Sequence, residues 1–373
     1  MKNIYKLFVL LCIVTVSCNN DDENVTSDSG VLKISGTVFS PNGNFPISRA
    51  HVKIFKDDVL IASQTTSAIG TFEITGLPEA MLEVQLSKGK FMKEFSVDLR
   101  EDYDLQLTEG ELDIFPSIAV VTGSYDNIEQ VLVGIGVVNP LTNEPAFDII
   151  NGSSSGNRAA HFHGPRDGQV AGRSTSLPSN VDFNFNDLLH DSDLLDNYDI
   201  IFLNCGATDA FDDDTIATTN LKNYISNGGI VYATDWMYSY IQSMFDAEDY
   251  LTFATPERAG SGDPINAQVF NADLEAWLAN QGIVVSPSVL VDNFLGGWQM
   301  VDTFDSDNVT NWLLAEDFTY SGNVASGKSL AFTFQYNQGG VFYSSFHTHG
   351  GGSDEDDAVL QMMNYFVFEL SGL

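Results

Sequence analysis

The sequence predicts a multi-domain chain: an all-β sandwich followed by an α/β domain. Two observations carry this. From Val31 to about Leu107, apolar residues recur with a period of two, and turn clusters separate the runs. From about Pro116, continuous apolar runs alternate with stretches of helical spacing. A period of two marks strands with one buried face, whereas unbroken apolar runs mark strands covered on both faces.

In the first region, Leu32, Ile34 and Val38 alternate with polar or small neighbours. So do Val52 and Ile54, Phe72 and Ile74, and Leu82, Val84 and Leu86. Pro41-Asn42-Gly43-Asn44 and Gly76-Leu77-Pro78 supply turns, and no helical stripe interrupts them. Short strands with regular turn signals argue a small sandwich over residues 31–112. His51 falls on one of these strands, where a packing or surface role is the ordinary one.

In the second region, Ser117–Val121, Asp199–Leu203 and Gly229–Ala233 are the apolar runs. Between the last two, Asp214 to Asn227 has helical spacing through Ile216, Leu221, Tyr224 and Ile225 and stops at Gly228-Gly229. Asp273 to Asn280 places Leu274, Trp277 and Leu278 on one helical face. Ser329–Tyr336 and Val341–Phe346 read as a hairpin or neighbouring strands, and Asp356–Leu370 as a terminal helix. Alternating strands and helices argue an α/β domain over 115–373, with ligands expected at the carboxyl ends of its strands. An irregular insertion at about 140–178 contains the flexible composition Asn151-Gly152-Ser153-Ser154-Ser155-Gly156-Asn157.

The N-terminus has the features of a secretory leader over residues 1–17. Lys2 and Lys6 precede the apolar stretch Leu7–Val16, which is too short to cross a bilayer, and small Ser17 stands before Cys18. Residues 18–30, beginning Cys18-Asn19-Asn20-Asp21-Asp22-Glu23, form an acidic linker too polar to bury a core. Removing the leader leaves 14 basic against 51 acidic residues, a formal charge of −37. A field of that sign repels nucleic acid and anionic headgroups. Cations and neutral ligands, such as a glycan or small molecule, stay open as partners. Cys205 is then the sole cysteine besides Cys18, so the core must hold without an intramolecular disulfide.

Thr15-Val16-Ser17-Cys18 resembles the lipobox of bacterial lipoproteins, although Thr15 stands where that family usually has Leu. The resemblance implies lipid on Cys18 and membrane attachment. The acidic run after it is similar to the export signal of surface-displayed lipoproteins, implying an outer-membrane or cell-surface location. Ile34–Val38, Pro46–Val52, Thr65-Thr66, Gly70–Ile74 and Gly76–Pro78 resemble the carboxypeptidase regulatory-like domain, a prealbumin-like sandwich. Such modules act as spacers or binding domains.

Tyr198–Gly206, Leu221–Asn227, Gly228–Ala233 and Val341–His347 resemble a class I glutamine amidotransferase-like domain, flavodoxin-like in fold, including its trehalose-utilisation-like members. Active members carry a cysteine nucleophile on a strand-to-helix turn, with a histidine and then a glutamate two residues beyond it. Here the turn falls on Thr234-Asp235-Trp236, the histidine position on His347 and the glutamate position on His349. Asp235 is a poor acyl-transfer nucleophile and His349 cannot orient a neighbour as a carboxylate would. The resemblance therefore implies the fold without glutamine hydrolysis, with His347 and Asp235 as the remaining catalytic candidates. The reading is a non-catalytic binding or scaffolding role at the envelope, in glycan or nutrient handling.

The alternative is a metal-dependent hydrolase. His161-Phe162-His163 and His347-Thr348-His349 hold four of the six histidines. Residues two apart on an extended segment face one side, so each pair could chelate a divalent transition metal such as Zn, with Asp235 adding an oxygen. Against it stands the plain role of polar loop histidines. Cys205 reads as a small buried hydrophobe, having no histidine near it in sequence. The runs Asp212-Asp213-Asp214 and Ser353-Asp354-Glu355-Asp356-Asp357 lack the ligand spacing of a calcium loop and precede helices, which favours capping. Trp236, Tyr238, Tyr240 and Trp298 could form a sugar platform or a core stripe.

Overall fold

The structure is a computed structural model, and residues 32–100, 104–107, 110–152, 177–207, 214–348 and 357–370 are described. Cys18, the leader and the linker lie outside the described residues. So do His161, His163, His349 and the acidic residues 212–213 and 354–356.

Strands β1 (Lys33–Thr37), β2 (His51–Lys56), β3 (Val59–Thr65), β4 (Thr71–Thr75), β5 (Met81–Lys88), β6 (Phe91–Asp98) and β7 (Asp104–Leu107) form two sheets. Their orders are β4-β1-β7 and β3-β2-β5-β6. The period of two is visible as burial: Phe72 and Ile74 of β4 and Leu82, Val84 and Leu86 of β5 point inward between exposed or half-buried neighbours. These residues join Ile34, Val52 and Ile54 in one apolar cluster.

The second region contains β8 (Ile118–Val121), α1 (Ile128–Gly134), β9 (Asp148–Ile150), α2 (Phe185–His190), α3 (Ser192–Leu195), β10 (Ile200–Leu203), α4 (Thr215–Ser226), β11 (Ile230–Thr234) and α5 (Tyr238–Phe245). It continues through β12 (Leu251–Phe253), β13 (Ile265–Val269), α6 (Ala272–Asn280), β14 (Val289–Val291), β15 (Val301–Phe304), β16 (Val309–Ala315), β17 (Phe318–Tyr320), β18 (Asn323–Ala325), β19 (Ser329–Tyr336), β20 (Gly339–Ser344) and α7 (Ala358–Leu370). Nine strands make one mixed sheet in the order β14-β13-β16-β19-β20-β11-β10-β8-β9. From β20 to β9 the neighbours are parallel, and from β20 to β14 they are antiparallel. Every residue of β8, β10, β11 and β20 is buried, as the unbroken apolar runs require.

Two expectations change in detail, and a third holds. Ile216 is exposed, and the inward face of α4 is Ala217, Leu221, Tyr224 and Ile225 instead. One turn of helix separates Ala217 from Leu221, so the small residue takes the inward place. The insertion is not wholly irregular, because Asp148–Ile150 adds a parallel edge strand to the main sheet beside β8. The acidic runs that remain described do cap helices. Asp214 accepts from the amide of Ala217, and Asp357 from those of Val359 and Leu360.

The sandwich core is continuous with the apolar layer on one face of the nine-stranded sheet, and a second cluster covers the other face. Phe91 of β6 packs edge-on against Phe368 of α7 at 5.1 Å between ring centroids, and Phe45 meets Trp277 at 5.8 Å. Lys88 pairs with Glu369 and Lys90 with Asp199, each at 2.6 Å. Among the described residues, no helix is long and apolar enough to cross a membrane.

Candidate functional site

Three neighbouring parallel strands end at the same level. Leu203 of β10 lies opposite Ala233 of β11, which lies opposite Tyr343 of β20, and Thr234 lies opposite Ser344. The chain therefore leaves the sheet at one edge three times, carrying Cys205, Asp235 and His347 with it. Their ligating atoms all lie within 4.8 Å of one another, and each residue is 1% exposed.

Asp235 opens a short 3₁₀ segment, Asp235–Met237, directly after β11, with φ at +39°. That left-handed conformation costs a side-chain-bearing residue free energy, so the surroundings must hold it. Its Oδ1 accepts from the Gln299 amide at 2.8 Å, and its carbonyl accepts from the Tyr343 hydroxyl at 3.2 Å. Cys205 is held by its own amide, which donates to Thr234 Oγ1 at 2.8 Å. Gly123 makes room for it, since a Cβ there would stand 2.1 Å from the Cys205 carbonyl oxygen. His347 donates its amide to the Asn293 carbonyl at 3.0 Å, and its Nδ1 lies 3.3 Å from the same oxygen.

That contact fixes the chemistry of the ring. Nδ1 faces a carbonyl and so carries a proton, which turns Nε2 toward the other two side chains. Nε2 is 3.2 Å from Asp235 Oδ2, yet the carboxyl lies off the line of the N–H, so this buried nitrogen has no aligned hydrogen bond. Cys205 Sγ lies 3.7 Å from the same Oδ2. The carboxyl thus stands at Nε2 with the thiol against its oxygen, while Nδ1 is taken by the Asn293 carbonyl. In a Cys-His-Asp relay acid and thiol occupy opposite nitrogens of the ring, and here one of those nitrogens faces a backbone carbonyl, so this arrangement is not a relay.

Burial pushes the Cys205 thiol up to about 11 and raises the Asp235 carboxyl, the latter opposed by His347 and the Gln299 amide. For His347, burial works against the cation, but Cys205 and Asp235 facing the ring outweigh it and the net shift is upward. A buried thiol that stays protonated is a weak nucleophile.

A second polar group adjoins the first. Asn204, next to Cys205, donates from Nδ2 to Glu129 Oε2 at 2.9 Å. Thr348, next to His347, donates its amide to Asp126 Oδ1 at 2.9 Å, and its hydroxyl is hydrogen-bonded to the same oxygen. Glu129 is buried in the first turn of α1, and desolvation, with the Asp126 charge adding, raises its carboxyl to about 7.

Of the residues singled out from sequence, Asp235 and His347 meet. His161, His163 and His349 lie outside the described residues. Cys205 is buried and free, as a small hydrophobe would be, but it faces a histidine 142 positions on. The pairing of β10 with β11 and of β11 with β20 creates that neighbourhood. The signal was there in part: three apolar runs each end in a polar residue, and aligning those ends puts Cys205 beside Asp235. The aromatics do not form a platform. Tyr238, Tyr240 and Trp298 are buried core residues, while Trp236 is edged by Tyr125 at 5.5 Å and covered by the Arg258 guanidinium at 4.7 Å.

No family model matches the chain, and no curated protein matches it. Solved structures similar to it include a GMP synthase-like protein from Thermoplasma acidophilum, at 12% identity and a TM-score of 0.36, covering 68% of this chain and 96% of that one. A ThuA-like protein from Parabacteroides merdae is 11% identical with a TM-score of 0.33, covering 69% and 88%. PurLQS from Thermotoga maritima is 12% identical with a TM-score of 0.32, covering 67% and 99%.

Proposed function

We propose that this chain is an envelope lipoprotein, lipid-anchored through Cys18, that binds or scaffolds at the cell surface and does not hydrolyse glutamine. In this reading residues 18–30 are a tether, residues 31–112 a prealbumin-like module, and residues 115–373 an amidotransferase-like module whose acyl-transfer site has been converted to another use. The ligand class is a glycan or other small neutral molecule, which the strongly negative chain does not repel.

One observation carries the reading. The strand-to-helix turn holds an aspartate, and its Oδ2 lies 3.2 Å from His347 Nε2 and 3.7 Å from Cys205 Sγ, so the carboxyl stands at the nitrogen and the thiol points at the carboxyl. Neither group is then set up as a nucleophile with a base behind it. Two measurements test it. Purified mature protein should release no ammonia from glutamine above a boiled control, and turnover that disappears in His347→Ala would overturn the non-catalytic reading. Labelling of growing cells with a palmitate analogue should mark the wild type but not Cys18→Ser. Equal labelling of the two would overturn the anchor.

A further inference from the structure

Resting on the reading that Asp235 and His347 are not engaged in acyl transfer, we infer that Cys205 Sγ, Asp235 Oδ2 and His347 Nε2 form a binding site for one divalent transition metal ion, with Zn²⁺ the best match.

Three observations carry it. The first is spacing. Bonds of about 2.3 Å to sulfur and about 2.0 Å to nitrogen and oxygen, at tetrahedral angles, put the donors roughly 3.3 Å (N to O) and roughly 3.5 Å (S to O) apart. The structure has 3.2 Å and 3.7 Å, with all three donor atoms inside 4.8 Å. An ion needs little more than a small rotation of the side chains to reach all three.

The second is the histidine. Nε2 is buried without an aligned hydrogen bond, while Nδ1 faces the Asn293 carbonyl at 3.3 Å. A metal-ligating imidazole has this arrangement, one nitrogen turned to the ion and the other held by a carbonyl that fixes the tautomer. Asp235 is supported in the same way, since its second oxygen already accepts from the Gln299 amide. The three donors follow closely on the ends of three adjacent strands.

The third is charge. A thiolate, a carboxylate and a neutral imidazole sum to −2, which a divalent ion cancels inside a buried pocket. Binding releases the thiol proton and any proton on Nε2 to solvent. Thiolate with imidazole selects Zn²⁺ over Mg²⁺ or Ca²⁺, and three protein donors leave a fourth position for water or a ligand atom. The site uses one of the four histidines considered from sequence and adds a cysteine that the sequence left aside.

The test is cobalt and zinc titration of metal-stripped mature protein. Co²⁺ should bind one per chain, giving a thiolate charge-transfer band and the strong visible bands of a four-coordinate ion, both displaced by Zn²⁺. Cys205→Ser, Asp235→Asn and His347→Gln should each weaken binding at least about 100-fold, beyond the ~10–100-fold that loss of a supporting residue costs. Melting curves of the metal-free variants establish that they fold. X-ray absorption of the zinc-loaded wild type needs no variant and should show one sulfur at about 2.3 Å among nitrogen and oxygen neighbours. Absence of a sulfur neighbour would overturn the site. So would a cobalt spectrum kept by Cys205→Ser and lost with His161→Ala/His163→Ala. Ammonia release from glutamine is read separately, so failure here leaves the non-catalytic reading standing.

Discussion

Replacing Glu129 with glutamine should stabilise the protein at pH 8 and destabilise it at pH 5. The carboxyl is buried in α1 and raised from 4.5 to about 7, chiefly by desolvation. A folded-state value above the unfolded one means the native state holds its proton longer. Stability is therefore greatest below pH 4.5 and is lost as the pH rises through about 7. At about 1.4 kcal/mol per unit, the loss across that window is about 3 kcal/mol. Glutamine never ionises, so it escapes this loss. It must instead replace one accepted hydrogen bond, from Asn204 Nδ2 or the Leu177 amide, at a cost of about 1 kcal/mol. Part of that is recoverable, because Asn204 Oδ1 is a buried acceptor without a partner and an amide flip would present it to the new NH₂. The net is about +2 kcal/mol at pH 8 and about −1 kcal/mol at pH 5, or roughly +4 °C and −2 °C in Tm for a chain of this size. Scanning calorimetry at both pH values checks it, with exposed Glu83→Gln as the control for removing a charge from an acidic protein. A Tm difference of the same sign and size at both pH values would refute the reasoning.

Tyr343→Phe removes the hydroxyl that bonds the carbonyls of Asp235 and Gln299, each at 3.2 Å, and should cost about 1–2 kcal/mol in chemical denaturation. Gly123→Ala drives a methyl into the Cys205 carbonyl; it should lower stability by about 1–3 kcal/mol and make the buried thiol reactive to an aromatic disulfide reagent under native conditions. Trp277→Ala removes a buried ring packed on Phe45 and Tyr365 and should cost about 3–5 kcal/mol. Because sandwich and sheet share one apolar cluster, its calorimetric trace should keep a single transition; two separated transitions would contradict the shared core.

The elements were legible where burial imposes a simple period. The sandwich alternation and the apolar runs at 118–121, 200–203 and 230–233 say which faces are covered, and that depends only on neighbours in sequence. The edge strand Asp148–Ile150 was hidden, because three residues are too few to display a period. Strand order was equally hidden. Nothing local says that β20, near the C-terminus, inserts beside β11, yet that pairing sets His347 next to Asp235. The candidate site was therefore half legible. The turn after β11 and the histidine after β20 came from resemblance, whereas Cys205 needed the register of three strands to acquire its neighbours.

In chelator-treated protein, Asp235→Asn tests how the carboxyl acts on His347. Cys205 and Asp235 both face His347 and together push its value upward against burial. An imidazole whose value is raised contributes stability that is fully present below its unfolded value near 6.5 and is lost as the pH climbs through the folded one. Asparagine keeps the shape and the bond to the Gln299 amide while deleting the carboxyl's charge. Desolvation, which favours the neutral form, is then opposed by Cys205 alone. Ring nitrogen shifts of His347, followed by NMR in chelator-treated protein, should show titration moving downward in the variant. The loss of stability should be larger at pH 6 than at pH 9. A titration unchanged by the substitution would mean that Asp235 does not hold the proton on His347. The same substitution separates the two states of the pocket, since a proton on Nε2 and a metal ion there are alternatives: whatever the carboxylate does to keep the first in place, it does again, as a ligand, for the second.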